Sequence, residues 1–186
     1  YICTDGVIVD SNKPIFKPAV EDIKPEITLT PMIEAINGIY SSDVTIAVKV
    51  IDPVVENTYA GLKEIRYEVT DQGVVTQSGV LYSFNVKWPT QSDLLQVWES
   101  QKAIVVNSKL NNSNDVKVKV YAVDNAGNKN EDALSLKIDI TKPTIEVIYN
   151  NNDGDTTFAD GTYFNAYRTA QVVVTERNFN SADVIF

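Results

Sequence analysis

The residue types best suited to hold a metal ion are concentrated in one short segment. The chain reads Asn-Asn-Asn-Asp-Gly-Asp over Asn150–Asp155, and Asp160 follows closely. Carboxylate and amide oxygens are the ligands that Ca²⁺ prefers. The spacing does not match the EF-hand pattern, however, and a polar, solvent-exposed turn would contain the same residue types. We therefore expect no cofactor, and calcium is the ion that would suit this segment if it held one.

Three further aspartates, Asp52, Asp124 and Asp139, stand near the ends of predicted strands. They could meet at an interdomain junction, where their carboxylates would offer oxygen ligands to a cation. The alternative interpretation is ordinary turn chemistry, because aspartate side chains accept hydrogen bonds from nearby backbone N–H groups.

The residues needed for common catalytic sites are missing from the sequence. There is no histidine, which excludes the usual base of a nucleophilic triad, and Cys3 is the single cysteine. Zinc sites need clusters of Cys or His, and no glycine-rich nucleotide loop is present. Glycosidases use a pair of carboxylates, but a chain with 25 acidic residues contains such pairs by chance, so they are no evidence for a glycosidase site. We expect a protein that is not an enzyme.

Large aromatic and aliphatic side chains are densest between residues 81 and 98. Protein-binding sites favour Trp, Tyr and apolar helices with a polar rim. Within this stretch, Pro89–Ser100 predicts a short helix, with a Thr or Ser cap and an acidic residue in its first turn. The alternative interpretation is a helix that plugs the end of the fold and buries Trp98 in the core. The predicted partner-binding residues are Tyr82, Phe84, Trp88, Leu94, Leu95 and Trp98.

The elements that would position these residues are β-strands. Val116–Val120 alternates Val with Lys, as a half-buried strand does, and Val44–Val50 shows the same period. Asp71-Gln72-Gly73 predicts a tight hairpin turn between two β-rich runs, and a second turn follows at Asp124–Asn128. Seven strands with such turns predict an all-β sandwich. Their predicted ranges are Glu26–Thr30, Val44–Ile51, Ile65–Asp71, Val74–Leu81, Ile104–Asn107, Asp115–Asp124 and Leu134–Ile140.

A short repeat indicates that the chain holds more than one module. Val9–Pro14 and Ile138–Pro143 both contain a β-branched residue, Asp, two further residues and Lys-Pro. Both segments are followed, in the same order, by an opening strand, an Asn/Asp-Gly-x-Tyr sequence and a buried strand. Asn37–Tyr40 and Asp160–Tyr163 are the two copies of that middle sequence.

The repeat predicts three parts. Residues 1–13 would be the last strand of a preceding module, residues 14–141 one complete module, and residues 142–186 the first strands of a following module. An alternative is that the two flanking pieces pair and complete one another.

The strand and turn at Tyr121–Asn128 resemble the penultimate hairpin of bacterial immunoglobulin-like repeats. Thr162–Ala170 and Val174–Phe179 look like opening strands of the next such repeat. Motifs similar to these recur in large cell-surface proteins of Gram-positive gut Firmicutes. The resemblance implies tandem immunoglobulin-like modules, here with a helical insertion in the central one. It also implies an extracellular location on the bacterial surface, cell-wall attached or secreted, and no binding residue can be carried over.

The charge balance restricts the class of partner. The chain has 186 residues, 16 basic and 25 acidic, for a net charge of −9. This negative field disfavours nucleic acid and anionic membranes. No stretch of 18 apolar residues is present, and we expect any signal peptide of the parent protein to lie outside this sequence.

Three functions fit these observations. The first is an adhesin-like module that recognises a host extracellular protein, and the resemblance to bacterial surface repeats implies immunoglobulin as one candidate. The second is a passive spacer in a surface stalk, beside neighbouring modules of the same chain. The third is a carbohydrate-binding module with Trp88 or Tyr82 as the stacking platform.

Overall fold

Two antiparallel β-sheets face each other in the central part of the chain. The structure is a computed structural model, and it describes residues 22–55, 57–87, 89–151, 157–159 and 167–183. One sheet has three strands and the other has four, and both bury their facing side chains in a single core. The prediction of an all-β sandwich is confirmed at this level.

The central part contains seven strands, the number predicted, but the fifth begins at Val97 instead of Ile104 and the seventh spans Lys129–Leu136 instead of Leu134–Ile140. The three-stranded sheet has the order β1-β2-β5, and the four-stranded sheet has the order β4-β3-β6-β7. All neighbouring strands in both sheets are antiparallel. The strands are β1 Glu26–Pro31, β2 Val44–Ile51, β3 Leu62–Asp71, β4 Val74–Ser83, β5 Val97–Val106, β6 Val116–Asp124 and β7 Lys129–Leu136.

A third sheet follows in the chain. It has the order β10-β8-β9, formed by β8 Thr144–Asn151, β9 Thr157–Ala159 and β10 Arg168–Thr175. The described residues also form two short 3-10 turns, Gln91–Asp93 and Ser181–Asp183.

The core is built from the inward-facing residues of both sheets. In β6, Val116, Val118 and Val120 are fully buried, while Lys117 between them is exposed. This is the period of two that the sequence predicts, since successive side chains of a strand point to opposite faces. Each fully buried Val or Ile contributes about 1.5–3 kcal/mol through removal of apolar surface from water.

The turn between β3 and β4 forms as predicted. Gln72 and Gly73 both have positive φ, at 50° and 81°. Positive φ at both central residues belongs to the type I′ turn, whose twist matches that of the flanking strands. Glycine adopts this conformation without the steric penalty of a Cβ atom.

The predicted helix over residues 89–100 is wrong. Thr90 and Asp93 do form a capping box, with the Thr90 N–H donating to Asp93 Oδ2 at 2.8 Å. The turn ends after three residues because Leu94 is extended, at φ −78° and ψ 128°. Val97 and Trp98 then belong to β5, where they pair with Ile51 and Val50 of β2. Pairing with a strand distant in sequence outweighs the local helical signal.

The third sheet opens in the same way as the central sandwich. Glu26 pairs with Ile51 at the start of β1, and Thr144 pairs with Thr175 at the start of β8. Lys-Pro stands directly before each opening strand, at Lys24-Pro25 and Lys142-Pro143. The two opening strands therefore share a preceding dipeptide and an antiparallel register. Residues 1–21 lie outside the described residues, so the boundaries of the three predicted parts stay predictions.

Replacing Ile104 with Ala tests the core. Ile104 is 1% exposed, whereas its neighbour Val105 is 49% exposed on the same strand. Ile104→Ala is expected to lower the free energy of unfolding by about 2–5 kcal/mol, because it leaves a cavity between the sheets. Val105→Ala, the matched control, should lower it by less than about 1 kcal/mol. Urea unfolding measures both, and equal losses would contradict this position of the core.

Candidate functional site

Residues 84–96, named here the crossing segment, run from β4 of one sheet to β5 of the other. The segment passes over the start of β3. The Phe84 N–H donates to Lys63 O at 2.8 Å, and the Leu62 N–H donates to Leu95 O at 2.7 Å. The segment is therefore hydrogen-bonded at its beginning and near its end to the strand that it covers.

Gly61 permits the close approach of the crossing segment. Its φ is +80°, and a Cβ atom there would lie 2.7 Å from Leu94 Cβ. Tyr59 adds a hydrogen bond from its hydroxyl to Leu94 O at 3.5 Å. Leu94 thus packs on bare backbone, which explains why its side chain is half-buried.

The five predicted binding residues that the structure describes are all half-buried. Tyr82 and Trp98 are half-buried and lie against the hydrophobic core. Burial also raises the pKa of Tyr82 above its ordinary value. Phe84, Leu94 and Leu95 are half-buried as well, and Trp88 lies outside the described residues. The geometry of Trp98 agrees with the alternative interpretation, in which this residue serves the core.

Other apolar residues near the crossing segment are more exposed than the predicted ones. Val86 is 49% exposed within the segment, and Val54 is 48% exposed in the loop after β2. Sequence reasoning missed both, since it weighted aromatic side chains. The signal that could have found Val54 is its place directly after Asp52-Pro53, where no strand can bury it.

The two ends of the central sandwich carry different polar groups. The proximal end is where the chain runs into β1, and it includes Asp52, Gly61 and Asp124. The distal end is where the chain leaves for β8 and includes Asp139, since the Ile138 N–H donates to Ser113 O just before β6 begins. Asp52 and Asp124 lie together, but Asp139 is at the opposite end, so the three aspartates do not meet.

Arg177, in the turn after β10, reaches the distal end of the central sandwich. Its Nη1 donates to Asn112 O at 2.7 Å, and its Nη2 donates to Asn112 Oδ1 at 2.7 Å and to Ile138 O at 2.9 Å. Its Nε donates to Asp139 Oδ2 at 3.1 Å, and Nη2 lies 2.8 Å from Asp139 Oδ1. We name this set of contacts the interunit junction.

Neighbouring polar groups support the interunit junction. Asn178 donates from Nδ2 to Asp139 Oδ2, and the Thr141 N–H donates to Asp139 Oδ1 at 2.9 Å. Burial opposes ionisation of Asp139, but the hydrogen bonds from Thr141, Asn178 and Arg177 together hold its pKa below the ordinary value. Asp139 is therefore an ionised carboxylate with a bidentate guanidinium partner, an arrangement that fixes orientation.

The described ranges contain no group of three or more Cys, Asp or Glu side chains that could hold a metal ion. Most of the segment that would suit calcium, residues 152–155 and 160, lies outside those ranges. Nor do the described residues form a helix that is both long enough and apolar enough to span a bilayer.

Comparisons with known proteins find no match. No protein-family model, no curated protein and no solved structure is significantly similar to this chain.

Replacing Gly61 with Ala tests the anchoring of the crossing segment. Gly38 provides a matched control, because its φ is +78° and a Cβ atom added there would have no other atom within 4 Å. Both substitutions impose a conformational penalty of about 1–2 kcal/mol. Gly61→Ala should lower the free energy of unfolding by a further amount of about 1–3 kcal/mol, because Leu94 must move. Equal losses of unfolding free energy in the two variants, measured by urea unfolding, would show that Leu94 can move at no energetic cost and would contradict the anchoring.

Proposed function

We propose that this chain is a non-catalytic, load-carrying segment of a bacterial cell-surface protein, in which tandem immunoglobulin-like modules are held in a fixed mutual orientation. The observation that carries this proposal is the interunit junction. Arg177 makes contacts there with Asn112, Ile138 and Asp139, and all three belong to the unit that precedes it.

The chemistry of the junction favours a stiff connection. A guanidinium is planar and presents its donors in a rigid fork, so it orients its acceptors better than a lysine would. The linker between the two units is short, and Pro143 restricts its backbone. Asn112 adds a second constraint, because its Oδ1 accepts the Ile140 N–H at 3.2 Å while its Nδ2 donates to Thr141 Oγ1 at 3.1 Å.

The immunoglobulin-like assignment is supported by two features. The first is the arrangement of three strands facing four around one core, which is the architecture such modules use. The second is the β6–β7 turn, where Asp124 Oδ1 accepts the N–H groups of Gly127 and Asn128 at 2.7 and 2.8 Å. That turn is the part of the sequence that resembles bacterial surface repeats.

A second candidate function is recognition of a host extracellular protein, with immunoglobulin as the partner to test first. The specific observation is the set of exposed apolar residues at the proximal end, Val54, Val55 and Val86. Their exposed fractions lie between 41% and 49%, and apolar groups rimmed by polar residues occur at protein interfaces. The predicted site thus moves from the half-buried aromatic residues to their exposed neighbours.

Replacing Arg177 with Ala tests the load-carrying function. Hydrogen bonds to charged groups contribute about 1.5–3 kcal/mol each, so the variant should release β8 and β10 from the central sandwich. We expect residual dipolar couplings and ¹⁵N relaxation to report one rotating body in the wild type and two in Arg177→Ala. Arg177→Lys should be intermediate.

Arg66→Ala is the control for this test, because Arg66 pairs with Glu64 on the outer surface of β3 and should leave the coupling intact. Because the pKa of Asp139 is lowered, the junction should persist until the pH falls below 3.8, the ordinary aspartate value. Independent rotation in the wild type at neutral pH would contradict a fixed orientation.

The binding candidate has its own test with purified immunoglobulin. Biolayer interferometry of the wild type against Val86→Asp should show at least a tenfold weaker affinity for the variant, since a charge at an apolar contact is left desolvated. Val75→Asp, at an exposed position of β4 that is 53% accessible, is the matched control. Absence of binding by the wild type removes this partner.

A further inference from the structure

Two aspartates are fully buried at the proximal end, and their hydrogen bonding is unequal. Asp124 is well satisfied: Oδ1 accepts two backbone N–H groups, from Gly127 and Asn128, and Oδ2 accepts the Asn128 side-chain amide at 2.8 Å. Three donors stabilise a negative charge on Asp124. Neither oxygen of the Asp124 carboxylate therefore lacks a donor.

Asp52 has donors on one oxygen and none on the other. Its Oδ2 accepts the Gly61 N–H at 2.5 Å, and its own N–H donates to Gln96 O at 2.8 Å. Its Oδ1 is buried and has no hydrogen-bond partner. An ionised carboxylate with one orphaned oxygen is costly to bury, because that oxygen loses its hydration without replacement.

The charges around Asp52 do not relieve this cost. β6 contributes Asp124, whose negative charge acts on Asp52 unfavourably. The loop before β3 contributes Tyr59, which donates its hydroxyl to Leu94 O. β3 and β7 contribute Lys63 and Lys129, and both are solvent-exposed. The described part of the crossing segment that bonds to Asp52 contributes only Gln96, through its carbonyl oxygen.

We propose that the folded protein holds a proton on Asp52 Oδ1, beside the hydrogen-bonded carboxylate of Asp124, at pH values where the unfolded chain has already released it. The proton removes the charge from the oxygen that has no donor and leaves Oδ2 free to accept the Gly61 N–H. It also removes the repulsion between two buried like charges. Protonation of the proximal end thereby stabilises the folded protein at acid pH.

A divalent cation is the other occupant that two carboxylates could share. Ca²⁺ takes six to eight oxygen ligands, and structural sites usually draw on several carboxylates. Here Asp124 already accepts three hydrogen bonds, and no third acidic side chain joins the pair among the described residues. A proton needs neither coordination space nor further ligands, so the geometry favours the proton.

The pKa of Asp52 supports the geometry. Burial, and then the charge of Asp124, raise it above 3.8, against the lowering effect of the Gly61 and Ala60 N–H groups. Below the unfolded pKa, both folded and unfolded states are protonated and no penalty exists. As the pH rises from the unfolded to the folded pKa, the unfolded chain releases this proton while the folded state retains it, so the stability falls, and the loss is complete above the folded pKa. Each unit of elevation raises the unfolding equilibrium constant about tenfold at neutral pH.

Asp43 offers a matched control with the opposite sign. It is solvent-exposed at the distal end, and its carboxylate accepts the Ser108 N–H at 2.8 Å and the Ser108 hydroxyl at 2.7 Å. Those hydrogen bonds lower the pKa of Asp43. Its stabilising contribution is therefore present at neutral pH and lost as the pH falls below 3.8.

The experiment compares Asp52→Asn and Asp43→Asn with the full wild-type chain by urea unfolding between acid and neutral pH. Asp52→Asn places a neutral amide where the acid stood, so its unfolding equilibrium constant relative to wild type should fall progressively as the pH rises. A fall of about tenfold or more at neutral pH relative to acid is expected. Asp43→Asn should change in the opposite direction. A pH-independent effect of Asp52→Asn, or one with the sign of Asp43→Asn, overturns the proposal.

A second measurement does not depend on the folding of any variant. Carboxyl ¹³C NMR titration of the wild type should give Asp52 a midpoint above 3.8. A midpoint at or below the ordinary value overturns the proposal. The same sample titrated with CaCl₂ at neutral pH should show no saturable shift at Asp52. Saturable shifts at both Asp52 and Asp124 would assign the site to a cation instead.

Discussion

The constraint on which this structure depends is that the space between the two sheets accepts only apolar side chains. Every fully buried strand interior consists of Val, Ile, Leu or Ala. The buried polar residues of the described chain stand at strand ends or in loops, where backbone donors and acceptors can satisfy them. They are Asp52, Ser108, Asn111, Ser113, Asp124 and Asp139. Among the residues that the structure describes, buried polar side chains therefore stand at the two ends of the sandwich.

The two ends solve the same burial problem differently. At the distal end, donors surround each polar group, as in Asn111, which accepts from the Thr76 hydroxyl at 2.5 Å and donates to Asn107 O at 2.8 Å. Asp139 there receives both a guanidinium and a backbone N–H. At the proximal end, Asp52 has too few donors for a charge. Donor supply, more than burial itself, decides which aspartates remain ionised.

The role of the crossing segment follows from the same constraint. A sandwich must close its ends, and Leu94 does so by packing on Gly61, where the absence of a side chain lets two backbones approach. The aromatic and aliphatic residues that look suited to partner binding are largely used for this closure. Some apolar groups near them stay exposed, at positions such as Val86.

Local sequence patterns determined much of the fold. Alternation of Val with Lys is sufficient to place β6, and Gln72-Gly73 is sufficient to place a hairpin turn, because both depend on residues adjacent in the chain. The same reasoning failed at residues 89–100, where Thr90 and Asp93 carry a real helix-start signal. Trp98 became a strand residue because Val50 offers it a partner, and no local pattern contains that information.

The candidate sites were decided by tertiary structure alone. Asp52 and Asp124 are both visible as strand-end aspartates, but only the fold brings the ends of β2 and β6 together at Gly61 and leaves one aspartate with an orphaned oxygen. Arg177 and Asp139 become partners only when the turn after β10 reaches back to the distal end. Periodicity reports which face of an element is apolar, because that depends on spacing along the chain. Hydrogen-bond partners depend on which strand ends and turns meet, and that is set by the fold as a whole.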